Sequence, residues 1–239
     1  PEAVRTLLGE AVAASMLLAA TIKIDGSLAM QTSGDGPVTM LVVQATAART
    51  VRGMASVKDD VDATDFRTLL GEVHLAISID PGTGGERYQG IISLEGDVLA
   101  EVLDGYFVNS EQLPTRLWLA ADGEHACGLL LQQLPGENPD DEPDEEAWQH
   151  VTTLAQTVKP SELLALDAST LLNRLFATDA VRLFDGNKAR FYCRCSRTRV
   201  AGMLTSLSRE ELLETAEEEG GVLTITCDFC NEHYAFDPI

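Results

Sequence analysis

Positive charge is scarce in this chain. Its 239 residues carry 17 Lys and Arg against 38 Asp and Glu, a net charge of −21. Phosphate backbones and anionic membrane surfaces attract clustered Lys and Arg, so neither nucleic acid nor membrane is expected as a partner. Histidine is sparse as well: four scattered residues, from which no Ser/His/Asp arrangement can be assembled. Long apolar runs are missing. The longest, Ala11 to Ile22, is Ala-rich, about 12 residues long and interrupted by Ser15 and Thr21, against the roughly 20 that a bilayer requires. No signal peptide is visible before the first helical pattern, although the chain begins at Pro1 rather than Met, and the expected compartment is a reducing cytoplasm. The Gly-rich stretch Pro81-Gly-Thr-Gly-Gly-Glu-Arg87 lacks the Gly-Lys-Ser/Thr ending of a phosphate loop and opens no helix, so it reads as a strand-connecting turn. Acidic residues are too abundant for any paired-carboxylate site to stand out. Aromatics are only 5%, yet the 45% of hydrophobic residues is ordinary for a globular protein, and the length suffices for one large domain or two smaller ones.

What is present divides the chain into three parts. Pro1 suits a first helical turn, and Val4, Leu7, Leu8, Ala11, Val12, Ser15 and Leu18 keep a near-3.6 period, which predicts a helix. Short alternating runs follow at Thr21–Asp25, Ser27–Gln31, Val38–Gln44 and Val51–Val57, separated by turn signals such as Asp25-Gly26 and Gly34-Asp35-Gly36-Pro37. Val73, Leu75, Ile77 and Ile79 alternate with polar or small residues as a half-buried strand, and Tyr88–Leu94 predicts another. Asp97–Ser110 predicts a helix, and Arg116–Ala120 with Ala126–Gln133 a hairpin around Asp122-Gly123. Strands and helices come in blocks, so the fold class is α+β, with a mixed sheet-and-helix domain over residues 1–136. Seven of the ten residues Glu137–Glu146 are acidic and two are Pro, a composition that cannot fold alone and predicts a linker. Short Leu-rich helices follow at Glu146–Val158, Ser161–Leu166 and Ser169–Phe176, then a brief strand at Val181–Phe184. This middle segment spans 137–190. In the last part, 191–239, the capping box Ser208-Arg-Glu-Glu211 opens a helix to about Glu219, Gly220-Gly221 stops it, and Val222–Thr226 predicts a strand.

Five cysteines remain. Cys127 stands alone, while Cys193-Arg-Cys195 and Cys227-Asp-Phe-Cys230 form two tight pairs with 31 residues between them. A secreted disulfide scaffold would spread its cysteines over a shorter chain, so the pairs point to a metal or redox site. Zinc takes four soft ligands in a tetrahedron, and two short Cys pairs brought together by the intervening fold supply them, the second forming a knuckle between the strand before Cys227 and another at His233–Phe236. Four thiolates leave no open position for water, which argues against a zinc hydrolase. His233 is a substitute ligand in principle, but a strand-edge position explains it more simply. His125 and Cys127 form a separate H-x-C pair that a half-buried strand accounts for. Arg190, Arg194, Arg197 and Arg199 crowd the first pair, four of the chain's thirteen arginines. Two readings stand side by side: the cations, with a helix start near Ser196, activate the thiols, or they offset a negative Zn(Cys)4 centre or pair with the acidic helix Glu210–Glu219.

These residues resemble the 33 kDa heat-shock protein family of redox-regulated holdase chaperones. The resemblance rests on the two cysteine pairs at this separation, and in the N-terminal part on Gly85-Glu-Arg-Tyr-Gln-Gly90, Leu94-Glu-Gly-Asp97 and Tyr106-Phe107 followed by Ser110-Glu-Gln-Leu-Pro-Thr115. It implies that Cys193, Cys195, Cys227 and Cys230 bind one zinc per chain when reduced. It further implies that oxidation forms Cys193–Cys195 and Cys227–Cys230 disulfides and releases the metal. The middle segment then exposes apolar surface, and the protein holds unfolding clients as a homodimer without ATP and without enzyme activity. Family members usually carry more chain at the N-terminus. The Leu-rich helices (Leu163, Leu164, Leu166, Leu171, Leu172, Leu175) are either permanent core or a releasable cover for the N-terminal sheet.

Two other functions fit parts of the pattern. A thiol–disulfide oxidoreductase would use Cys227-x-x-Cys230 at a helix start after a strand, whereas here the pair closes a short knuckle. A zinc-ribbon binding module is permitted locally by the arginines, but the net charge opposes phosphate binding at long range.

Overall fold

A computed structural model describes residues 1–22, 25–58, 61–135, 144–218 and 220–237. The fold is α+β, and the chain forms two compact units, Pro1–Arg190 and Phe191–Ile239. Most of the acidic run, residues 137–143, lies outside the described residues.

The first unit is built around α1 (Glu2–Thr21), which packs against both of its sheets. The larger sheet is antiparallel in the order β5-β4-β1-β2-β3, from β1 (Ser27–Ser33), β2 (Val38–Thr46), β3 (Thr50–Val57), β4 (His74–Asp80) and β5 (Tyr88–Ser93). Period-2 alternation places Leu28 and Met30, Leu41 and Val43, Leu75 and Ile77 on one face, where α1 meets them with Leu7, Ala11, Ala14 and Leu18. In register, Met30 lies between Val43 and Ile77. A register shift between Val38 and Met40 lets Val38 and Leu41, three apart, both face the core. The smaller sheet is the hairpin β6 (Thr115–Ala121) and β7 (Ala126–Gln132), joined where Asp122 accepts the His125 and Glu124 N–H groups. Gly9 sits mid-helix despite its low propensity because a Cβ there would lie 2.6 Å from the Ala121 Cβ.

By length and composition alone, α1 suffices to cross a membrane: over 18 residues its mean hydropathy is 1.5. The helix extends the 12-residue run by Val4, Leu7 and Leu8 on the preceding turns, and the core helix of a soluble protein passes the same test. In the structure those turns join the core cluster.

Other differences are local. Thr21 ends α1 rather than starting a strand, and Ile22 donates its N–H to Leu18 O. The helix expected over Asp97–Ser110 is α3 (Leu99–Tyr106) continued by a π-helical turn, Phe107–Glu111, that closes with Gln112 in the left-handed region at φ 55°. Asp104, buried on α3, accepts from the Leu117 N–H at 2.8 Å and Arg116 Nη1 at 3.2 Å, tying α3 to β6. A short helix, α2 (Phe66–Leu70), capped by Asp65 through the Thr68 N–H, has no counterpart in the sequence reading.

The middle helices belong to this first unit. They are α4 (Glu145–Ala155), capped by Asp144, α5 (Pro160–Ala165), with Glu162 reaching back to the Lys159 N–H, and α6 (Ala168–Leu175), capped by Asp167. The docking of α5 and α6 on the hairpin is a small cluster centred on Leu163, Leu171 and Ala120, with Cys127 and Trp118 at its margin. The strand expected at Val181–Phe184 does not form. Its apolar side chains are exposed, and the Arg182 guanidinium lies 4.7 Å above the Phe184 ring. Apolar alternation without a pairing partner leaves a strand's backbone groups unsatisfied, which is why the pattern alone misleads here. At the end of the unit, Arg190, in the two-residue strand β8 (Arg190–Phe191), donates its N–H to Arg49 O.

The second unit has α7 (Arg197–Leu204), α8 (Arg209–Glu218) and the antiparallel pair β9 (Leu223–Thr226) and β10 (His233–Phe236). Three side chains form its buried centre, Leu204, Ala216 and Leu223, with Val200, Leu212, Ile225 and Phe236 packed around them.

Candidate metal centre

Each cysteine pair is held by a local device that follows from its neighbours. Cys193 and Cys195 precede α7, whose N-cap Ser196 accepts the Arg199 N–H at 3.3 Å. Cys227 and Cys230 occupy the turn between β9 and β10. There the Cys227 N–H reaches Glu232 O at 2.9 Å, and the Asn231 N–H returns to Cys227 O at 2.8 Å. Asn231 takes φ 57°, a left-handed conformation that Asn adopts more readily than most residues. The pair thus closes a turn between strands and does not start a helix, contrary to what the oxidoreductase pattern requires.

The four sulfurs converge. All four Sγ atoms lie within 4.8 Å of one another, and each residue is half-buried. Cys193 Sγ is 3.7 Å from Cys227 Sγ, and Cys195 Sγ is 3.3 Å from Cys230 Sγ, so these contacts run between the pairs. Metal–sulfur bonds of about 2.3 Å in a tetrahedron set S···S edges near 3.8 Å, so the donor set fits zinc in number, softness and spacing. Ionisation makes the same demand. The Glu232 N–H draws the Cys230 thiol down, but hydrogen bonding with Cys195, burial and the neighbouring thiols push it up to about 12. A bound cation would offset the repulsion among thiolates this close.

The surrounding groups find definite positions. The Tyr234 hydroxyl donates to Cys195 Sγ at 3.2 Å. Arg197 places its guanidinium 4.4 Å above the Phe236 ring, and Arg199 Nη1 donates to Arg194 O at 3.0 Å. Among the described residues no ion pair links Arg194, Arg197 or Arg199 to α8. Their pairing with that helix, one of the roles weighed for them, is not seen. His233 lies outside the cluster, its Nδ1 2.8 Å from Thr226 Oγ1 across the strand pair. Tyr234 went unnoticed in the sequence. The alternation of β10 does carry the signal: Tyr234 and Phe236 are its half-buried side, His233 and Ala235 its exposed one.

Cys127 sits apart on β7 against the Leu163 cluster, and burial, then the Asp122 charge, push its thiol upward. Its neighbour His125 faces Asp122, with Nδ1 3.6 Å from Oδ2. The stretch from Pro81 to Arg87 connects β4 to β5, and Arg87 pairs with Asp80 at 3.2 Å.

Comparison with known proteins agrees with this arrangement along nearly the whole chain. A family model described as Hsp33 protein matches residues 1–237. A 33 kDa chaperonin of Ectopseudomonas mendocina (strain ymp) is 49% identical over 242 residues, which covers 99% of this chain and 81% of that one. A 33 kDa chaperonin of Pseudomonas aeruginosa (strain PAO1) is 48% identical over 240 residues, with 99% and 80% covered. The crystal structure of a 33 kDa chaperonin from Thermotoga maritima shares the fold, with TM-score 0.81 over 98% of this chain and 82% of that one, at 22% identity. With four converging sulfurs in the last unit and the family match running through both units, the chain belongs to the Hsp33 family, a family of chaperones and not of enzymes.

Proposed function

We propose that this chain is a redox-regulated, ATP-independent holdase chaperone whose reduced form carries one zinc on Cys193, Cys195, Cys227 and Cys230. The observation that carries the reading is the convergence of four sulfurs in a unit whose described residues include three buried apolar side chains. Bound zinc would supply charge balance and a cross-link between the two pairs, with no coordination position left for a substrate.

Oxidation removes the ligands. Two thiolates and one peroxide, with two protons, give one disulfide and two waters, so two peroxides consume all four sulfurs. Family resemblance assigns the bonds as Cys193–Cys195 and Cys227–Cys230. A unit that depends on its metal then unfolds, and α5 and α6, resting on the hairpin by a small cluster, let go. The freed segment combines Leu163, Leu164, Leu171 and Leu172 with many carboxylates, a composition that holds apolar clients while staying in solution. The active form is a homodimer in the cytoplasm.

Peroxide with mild heat, applied to zinc-loaded protein, tests this directly. It is expected to release one zinc per chain and suppress the turbidity of an unfolding client, with native mass spectrometry reporting zinc, disulfide mass and oligomeric state together. Oxidised protein that has lost its zinc yet leaves client turbidity unchanged would rule the chaperone reading out.

A further inference from the structure

Two contacts bring β10 against the start of α7. The Tyr234 hydroxyl lies 3.2 Å from Cys195 Sγ, and the Arg197 guanidinium lies 4.4 Å above the ring of Phe236, two residues further along the strand. Tyr234 pairs with Ile225 in the register of β9 and β10, and Phe236 packs against the Leu204–Ala216–Leu223 centre. The hydroxyl is therefore aimed by a strand that the small core holds in place. Its partner is the second cysteine of the C-x-C pair, one residue before the α7 cap.

A metal-bound thiolate attacks an oxidant or an alkylating agent through a sulfur lone pair. A hydroxyl donating to that sulfur draws density from it, and charge-assisted hydrogen bonds of this kind are stronger than neutral ones. The backbone N–H of Glu232 serves Cys230 similarly, but side-chain chemistry cannot remove it. The bond to Cys195 comes from a side chain and disappears on removal of one oxygen atom.

We propose that Tyr234 is a positioning residue of the metal centre that holds down the nucleophilicity of Cys195 and so limits how fast electrophiles reach the C-x-C pair. This rests on the reading of the four sulfurs as a zinc site. Arg197 supports it by stacking on Phe236, which keeps β10 at the distance where the hydroxyl reaches the sulfur.

The test compares the full zinc-loaded chain with Tyr234→Phe, which keeps the ring and deletes only the donor. Both are treated briefly with iodoacetamide, in which sulfur displaces iodide, and the modification of each cysteine is followed by mass spectrometry. Trypsin cuts after Arg194, so Cys193 and Cys195 fall on separate peptides. In the variant, Cys195 is expected to react about 3- to 10-fold faster, while Cys193 and the remote Cys127 keep their wild-type rates. A loosened unit would instead accelerate all four centre cysteines alike, and that result overturns the proposal, as does an unchanged Cys195 rate. Loss of amide protection in α7 and α8 of the variant also overturns it, because the hydroxyl would then be holding the fold rather than the sulfur. Zinc content by native mass spectrometry separates the underlying reading: wild-type protein that binds no zinc removes the metal site and this inference with it.

Discussion

Stripping the metal from the four-sulfur centre is expected to unfold residues 191–239 while the core around α1 and the larger sheet stays folded. Among its described residues the second unit buries two leucines and one alanine, Leu204, Leu223 and Ala216. At about 1.5–3 kcal/mol per buried Leu, and less for Ala, their burial contributes about 4–7 kcal/mol. Structural zinc contributes roughly 10–16 kcal/mol to a small module. The metal is therefore the larger of the two, and it also exceeds the margin of many whole domains, about 5–15 kcal/mol. Units near this size commonly need a metal or a disulfide to fold at all. The assay is hydrogen exchange read by mass spectrometry, with reductant present so that only metal loss is at issue, while a chelating dye reports the zinc. Amides of α7 and α8 are expected to exchange at unfolded rates once the dye has taken one equivalent, while those of β1 and β2 keep their protection. Adding zinc back restores α7 and α8. If both helices stay protected after the zinc has left, the argument that this unit depends on its metal is wrong.

Two further perturbations probe the first unit. Glu10, on α1, lines a cavity of about 440 Å3 together with Asp104, Arg116, Trp118 and Leu163, and burial pushes its carboxyl from 4.5 up to about 7. A raised carboxyl contributes stability that is present below its unfolded value near 4.5 and lost as pH rises through 7. Glu10→Gln is expected to stabilise the protein by about 1–2 kcal/mol at pH 8, after discounting for the solvent the carboxyl still sees. It should gain little at pH 4; equal melting shifts at both pH values would count against burial as the cause. Leu163→Ala removes a core side chain from the seat of α5 and is expected to cost about 2–4 kcal/mol. Amides of α5 and α6 should exchange faster while those of α1 do not, and reduced protein should begin to hold clients; unchanged exchange in α5 would mean that this seat does not retain the helix.

Much of this architecture is legible in the chain because its signals are local. The alternation from Val73 to Asp80 predicts β4, and Asp122-Gly123 predicts the turn of the β6–β7 hairpin, where Gly123 takes φ 89°. The capping box at Ser208 forms as written, with Glu211 accepting the Ser208 N–H at 2.9 Å and Ser208 Oγ accepting the Glu211 N–H at 3.2 Å. The convergence of the four cysteines is legible for the same reason: each pair is a short-range pattern, and four soft donors are the set that a tetrahedral metal takes. What is not legible depends on distance in space. Five residues are too few for α2 to show a helical period. Nothing along the chain says that β1 lies between β2 and β4, and the apolar residues of Val181–Phe184 read as a strand until the want of a partner is seen. Tyr234 belongs to this class, since its meaning depends on β10 approaching the start of α7.

The distribution of buried side chains explains how one protein can open in part and remain folded in part. Among the described residues, the core around α1 and the larger sheet holds 21 buried side chains, whereas the seat of α5 and α6 holds three and the last unit three. Opening free energy follows buried apolar contact, so the two small clusters open at a cost far below that of the large one. Zinc would compensate in the last unit, while the hold on α5 rests on Leu163 and its neighbours. Charge then decides what the opened chain does. Residues 1–136 carry 18 acidic and 8 basic groups, and residues 137–239 carry 20 and 9, so repulsion between copies survives whichever part unfolds. Under the proposed function, leucines exposed on such a background would favour capture of another protein's apolar segments over collapse onto a second copy's opened segment.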